Sequence, residues 1–427
     1  IWLALVKRMT AGRPWMLKIQ RTTLIRIPTI ILLGLVLSFY QNCTEFEVQE
    51  QQNADIPQSD GLGAGDETPA TPPAPEDPGQ VVCNKSQNDS SVEKPRGTYT
   101  SVVTPGAVAN PNIQGGLIRV IWSDIEPTPG EFDFSKIEER RALLPQGKSW
   151  SLAVHGGWTS IDMSDPDLEN ADRLPNGELA MAQSMSPNWL QSMDGVEVFE
   201  MEFRKITVRM PKIWNPVVQS RLQSMLQAVA ANYKQDSSLS LVYVPQMTSN
   251  GVEGHYNGVP DNTLLEAAGL DPASNSARQD FEDLFVEASL QVTKSAADAF
   301  DNKPIAFEVH EVLSSVNIPK RIMDEFLLDS DFEARVGIGM WWISGRTNYQ
   351  GELVEIIKAY QGDLYGQVIG KSPEPSRFDA VAGYAGVFTQ AKELCMRYIE
   401  PWNYEFENNT HNDLMADFNQ WAEAAFD

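Results

Sequence analysis

The chain has 427 residues, 42% of them apolar and 21% charged, and carries a formal net charge of −25. Length and composition describe a globular protein of one large domain or two ordinary ones. So acidic a balance argues against a nucleic-acid partner, because phosphate backbones are gripped by positive surface.

The first element in chain order is an export signal. Residues 28–40, PTIILLGLVLSFY, form an apolar run of signal length, too short for a comfortable membrane span, with Lys18, Arg21 and Arg26 on its positive flank. Met16 is a natural start, which would make residues 1–15 a gene-model extension. Cys43 follows in SFYQNC. Residues 1–43 resemble a bacterial lipoprotein signal, in which such a cysteine becomes the lipidated first residue; Tyr40, Gln41 and Asn42 stand where small residues are usual. The resemblance implies export to the periplasm, outer membrane or cell surface, with a lipid as the only membrane contact. An ordinary secretory signal is the alternative.

Residues 44–95 are acidic, rich in Pro, Gly and Gln, and poor in large apolar side chains. Such a segment buries too little surface to offset its ordering entropy, so it is expected to be a disordered tether ahead of a folded domain at 96–427. Cys83 and Cys395 either pair in an oxidising compartment, or Cys395 is a small buried hydrophobe.

From residue 97 the chain alternates strand and helix. Strand-like runs lie at 98–104, 117–122, 149–155, 239–247, 304–310, 335–342, 363–370 and 395–402. Helical periodicity lies between most of them. In 215–233, Val218, Leu222, Leu226, Val229 and Tyr233 recur at three- and four-residue spacing, and 276–300 behaves likewise. Eight apolar strands with helical crossovers predict an α/β fold, a closed (β/α)₈ TIM barrel. An open doubly wound sheet is the alternative, but no Gly-rich dinucleotide loop follows the first strand.

A barrel of this kind works from the loops at the C-terminal ends of its strands. The residues falling there are Trp122, His155, Trp158, Asn250, Glu253, His255, Glu308, His310, Glu311, Trp341, Gln367, Glu374, Glu400 and Trp402. Indole faces stack on sugar rings while acids and amides bond hydroxyls. Trp341 and Trp342 alternate along a strand, so at most one faces the lumen. The four histidines are irregularly spaced and form no HExxH pattern, so no metal and no cofactor is expected.

The segment RVIWSDIEPTPGEFDFSKIEE, 119–139, resembles the second-strand segment of clan A glycoside hydrolases of the β-galactosidase-like kind. SPNWL, residues 210–233 and YIEPWNYEF also resemble parts of such enzymes. The resemblance covers about residues 97–427. It implies a retaining glycoside hydrolase, acting as a monomer on an oligo- or polysaccharide. It gives the acid/base role to Glu253, after the fourth strand, with burial keeping that carboxyl protonated. Substrate contacts would come from Trp122, His155, Trp158, Asn250, His255, Trp341, Gln367, Glu400 and Trp402. Glu126 is more simply a brace for its loop. The nucleophile should follow strand seven, where the strand itself offers Gln367. Glu374 reaching back, an acid from strand five or eight such as Glu311, or a barrel that binds glycan without cutting it are the readings left open.

Overall fold

The computed structural model describes residues 83, 92–160, 182–203, 206–256, 258–329, 332 and 334–426. The signal segment, Cys43 and nearly all of the tether lie outside the described residues.

Eight parallel strands close on themselves: β1 (Gly97–Thr100), β2 (Gly115–Ile121), β3 (Ser149–His155), β8 (Leu239–Tyr243), β9 (Ile305–Glu308), β10 (Val336–Ile343), β11 (Leu364–Val368) and β12 (Tyr398–Glu400). Each pairs with its neighbour in that order, and β12 returns to β1 through Gly97↔Tyr398 and Thr98↔Ile399. Every strand foreseen as a barrel strand takes that place. Each is buried along nearly its whole length, as a sheet covered on both faces requires.

Helices supply the outer layer. Pro216–Tyr233 starts at Asn215, whose Oδ1 accepts from the amides of Val217 and Val218, with proline at the first helical position. It packs on Ala277–Ala299, and Val218, Leu222, Leu226 and Val229 all point inward. These side chains belong to one apolar layer between strands and helices.

Two antiparallel ribbons were not foreseen: β4 (Trp158–Ser160) with β5 (Ala182–Ser184), and β6 (Val198–Phe203) with β7 (Ile206–Pro211). Both leave the barrel from the loop after β3. In VFEMEF and ITVRMP apolar and polar residues alternate with period two, which is the signal for a half-buried strand.

The lumen is filled by a second cluster that includes Tyr99, Leu117, Leu241, Tyr243, Trp341, Tyr365 and Tyr398. Large rings fit there because glycine faces them. A Cβ on Gly115 would stand 2.3 Å from the Tyr99 ring, and one on Gly337 would stand 2.8 Å from that of Tyr365. Trp341 faces the lumen, while Trp342 belongs to the outer layer.

At the N-terminal end of the barrel, buried Asp363 is paired with both Lys94 and Arg397, and Arg397 Nε donates to the Pro95 carbonyl at 3.1 Å. Cys83 and Cys395 form a disulfide across 312 positions of sequence. Among the described residues no helix is long and apolar enough to cross a membrane.

Candidate functional site

Because all eight strands are parallel, their C-terminal residues gather at one rim. His155 ends β3, Glu308 ends β9, Gln367 lies near the end of β11 and Glu400 ends β12. The long loop after β8 folds over this rim. Its turn is made by Asn250 and Gly251, both left-handed with φ of 61° and 76°. The turn doubles the chain back, so that Asn250, three positions before Glu253, gives its side-chain amide to Glu253 Oε1 at 3.1 Å. The other Glu253 oxygen lies 3.0 Å from His255 Nε2.

The loop also meets β9. Glu308 is buried, with its carboxylate accepting from the backbone amides of Gly254 at 2.7 Å and Trp341 at 3.1 Å. His310 Nδ1 lies 2.9 Å from the same carboxylate. The rings of His255 and His310 face each other with centroids 4.4 Å apart, and Trp342 packs against His310 at 5.6 Å. Glu253, His255 and His310 therefore each present a ligand-capable atom, all within 4.8 Å of one another. The irregular spacing of the histidines had given no reason to expect this. It arises because β8 and β9 are neighbours, which joins positions 55 residues apart.

The charges in this group are uneven. Burial raises the Glu253 carboxyl, but the bond to His255 and the imidazole's charge outweigh it and hold the group below the usual carboxylate range. The expected protonated state is thus not the one this geometry favours. Glu308 is pushed well above its ordinary value, by burial and then by the nearby charge of Glu253. Burial lowers His255, but its bond to Glu253 wins and raises it overall. Burial and the neighbouring His255 keep His310 neutral. The two shifts run in opposite directions and favour a proton on His255 and a negative charge on Glu253.

A second buried group lies on the other side of the rim. Glu400 accepts from Tyr243 Oη at 3.0 Å, from Tyr398 Oη, and from Gln367 Nε2 at 2.6 Å. Burial pushes its carboxyl up to about 7 despite these three donors. His155 bridges the two groups: its Nδ1 lies 2.7 Å from the Asn250 carbonyl, and its ring lies 5.7 Å from that of Trp341. Burial, followed by the charge of Arg119, takes His155 down to about 3, so the ring is neutral. Its Nε2 and the Trp341 Nε1 are buried without a hydrogen-bond partner among the described residues.

Other expected site residues are bonded elsewhere, except Trp158, whose carbonyl accepts from the Asn250 backbone amide at 2.7 Å. Trp122 is fully buried, because the strand ends at Ile121 and a helical turn, Trp122–Ile125, begins at once. Its indole donates to Glu126 at 2.8 Å and packs edge-on to Trp189, so it braces the wall and cannot stack on a sugar. Glu126 is the brace anticipated: it also holds the Gly130 amide at 2.8 Å and Arg221. Glu374 is half-buried and turns to Arg377 at 3.1 Å, and no contact among the described residues joins it to Glu253. Glu311 is half-buried, with its backbone amide bonded to Gln350, and burial raises its carboxyl. Trp158 is tied to the Arg209 carbonyl at 2.9 Å. Trp402 donates to the Val368 carbonyl at 2.7 Å, with Lys371 5.3 Å over its ring.

Sequence reasoning overlooked Tyr243, Tyr398 and Arg119 as parts of the site. Arg119 could have been found, since it opens the RVIW run and faces inward with the same parity as Leu117.

No family model matches the chain, and no curated protein does. Solved structures with similar chain paths include endo-glycoceramidase II from Rhodococcus sp., described as a lactosyl-enzyme intermediate (12% identity, TM-score 0.43, covering 74% of this chain and 75% of that one). A β-galactosidase from Rahnella sp. R3 matches at 10% identity and a TM-score of 0.47, over 80% of this chain and 58% of that one. An exo-β-1,4-mannosidase from Opitutaceae bacterium strain TAV5 matches at 10% identity and 0.40, over 79% and 62%.

Proposed function

We propose that the barrel mouth binds an oligo- or polysaccharide and that the protein is a glycoside hydrolase working through Glu253. The observation that carries this reading is the pairing of Glu253 with His255 at 3.0 Å, on a rim that also presents His155, Trp341 and Tyr349. Cleaving a glycosidic bond needs a proton for the leaving oxygen and a negative group facing the developing charge on the ring. The opposed shifts of the two groups favour a proton on His255 and a charge on Glu253, side by side. The exposed ring of Tyr349, packed on Trp342 with centroids 5.8 Å apart, suits a sugar face.

A second reading, glycan binding without cleavage, is favoured by one specific feature. The tip of the seventh barrel strand carries the neutral amide Gln367, bonded to Glu400. A retaining mechanism needs two carboxylates about 5 Å apart.

The test is Glu253→Gln in purified protein, assayed against chromogenic glycosides and polysaccharides. Turnover should fall by about 10²–10⁴ while melting temperature and glycan affinity stay near wild type. Full activity in the variant ends the assignment. A wild-type protein that binds glycan but releases no sugar establishes the second reading.

We further propose that the protein is exported and lipid-anchored through Cys43. The Cys83–Cys395 disulfide supports export, since such bonds persist in oxidising compartments. Cys43→Ser should move the protein from the membrane to the soluble fraction; an unchanged membrane fraction removes the anchor.

A further inference from the structure

We infer that Glu253, His255 and His310 form a binding site for one divalent transition-metal ion of the zinc type. The three side chains converge to within 4.8 Å from a loop and a neighbouring strand end. They are the two-imidazole, one-carboxylate donor set that zinc and its neighbours accept, whereas magnesium and calcium prefer oxygen.

The geometry suits a shared ion. At bond lengths of about 2.0–2.2 Å, the Glu253 and His255 atoms 3.0 Å apart subtend roughly a right angle at the ion, while atoms as far as 4.8 Å apart exceed the roughly 4.4 Å two such bonds can span, so side chains close by a few tenths of an ångström on binding. Three protein ligands leave a coordination position open, as catalytic zinc sites do.

The surroundings are arranged as outer partners of a metal site usually are. A ligating histidine normally gives its other ring nitrogen to a carboxylate, which fixes its tautomer and orientation. His310 does so through Nδ1 to Glu308 at 2.9 Å, which leaves Nε2 free to ligate. Glu308 is itself pinned by the amides of Gly254 and Trp341. Asn250 holds Oε1 of Glu253, leaving Oε2 on the side of His255.

This inference does not rest on the hydrolase reading. An ion on Glu253 Oε2 would occupy the lone pairs that hydrolysis needs, so zinc should inhibit any glycoside turnover.

The test is calorimetric titration of ZnCl₂, with MgCl₂ as comparison, into the chelator-treated full chain. One equivalent of zinc should bind, at least 100-fold tighter than magnesium. His255→Ala and His310→Ala should each weaken zinc by 100-fold or more. Glu308→Gln should weaken it by about 10–100-fold, the usual loss for an outer partner. His411→Asn, at a histidine stacked on Tyr384, should leave binding unchanged. Circular dichroism checks that each variant folds. Where an alanine variant unfolds, the visible spectrum of the cobalt-loaded wild type decides. The intense bands of four- or five-coordinate cobalt support the site, and the weak spectrum of the hydrated ion overturns it. Absence of stoichiometric zinc binding, or equal affinity in His255→Ala and His310→Ala, also overturns it. A protein that binds zinc and cleaves no glycoside sinks the hydrolase reading alone. One that cleaves glycosides and binds no zinc sinks this inference alone.

Discussion

Gln367 gives a side-chain amide hydrogen to Glu400 at 2.6 Å inside the rim of the barrel, where both groups are buried. The neutral amide satisfies one oxygen of an acid that burial already makes reluctant to ionise. A glutamate at 367 would set two carboxylates against each other, and they would have to share a proton. We expect Gln367→Glu to cost about 1–3 kcal/mol at pH 8 and much less at pH 5, read by urea denaturation. An equal cost at both values would mean that the two side chains do not meet.

Glu400 itself gives a pH dependence of defined sign. Its folded value of about 7 lies above the ordinary value of 4.5, so between these the fold keeps a proton that the unfolded chain has lost. Its contribution to stability is therefore present below pH 4.5, is lost as pH rises to about 7, and is flat beyond. The loss is about 3 kcal/mol at most. Glu400→Gln should remove this slope, seen as a smaller fall in unfolding free energy from pH 5 to 7.5 than in wild type. Parallel curves for the two proteins would contradict the assignment.

Glu126 is a buried charge with three donors, Trp122 Nε1, the Gly130 amide and Arg221, and its backbone carbonyl accepts from Trp189 Nε1 at 2.9 Å. Glu126→Ala leaves an arginine and an indole without their acceptor. Breaking a buried pair in this way costs about 3–5 kcal/mol. Glycan affinity measured at a temperature where the variant is folded should change little. A stable variant with lost affinity would instead place Glu126 in the site.

The disulfide ties a cysteine ahead of the barrel to the turn before its last strand. Cys83→Ser should lower stability by about 2–5 kcal/mol under oxidising conditions. It should leave wild type and variant alike once reductant is added. A difference that survives reduction would have another cause.

The barrel was legible because its strands are unbroken apolar runs and its helices keep a clean 3.6-residue period. SWSLAVH and the 215–233 helix lie where the pattern put them. Trp122 continues the apolar run of its strand in sequence, but the strand ends at Ile121 and the helical turn that begins there rotates the indole into the wall. The alternation of the β6–β7 ribbon is visible in the sequence, but its polar positions set it apart from the unbroken apolar runs of the barrel strands. The meeting of His255 with His310 follows from strand adjacency, not from spacing, so it needed the order of the barrel and not only its count. The charge on Glu253 was the least legible. It depends on the left-handed turn at Asn250, which brings a donor back from three residues away.

The tyrosine-filled lumen bears on how this sequence can drift. A Cβ at Gly115 or Gly337 would meet not only the rings of Tyr99 and Tyr365 but first a backbone carbonyl, Ser149 O at 2.2 Å and Asp363 O at 2.6 Å. Shrinking either tyrosine would open a void without freeing its glycine to grow, because the main chain of the neighbouring strand still blocks the space. Among descendants of this chain the two glycines should therefore stay fixed while the rings beside them are the members that vary.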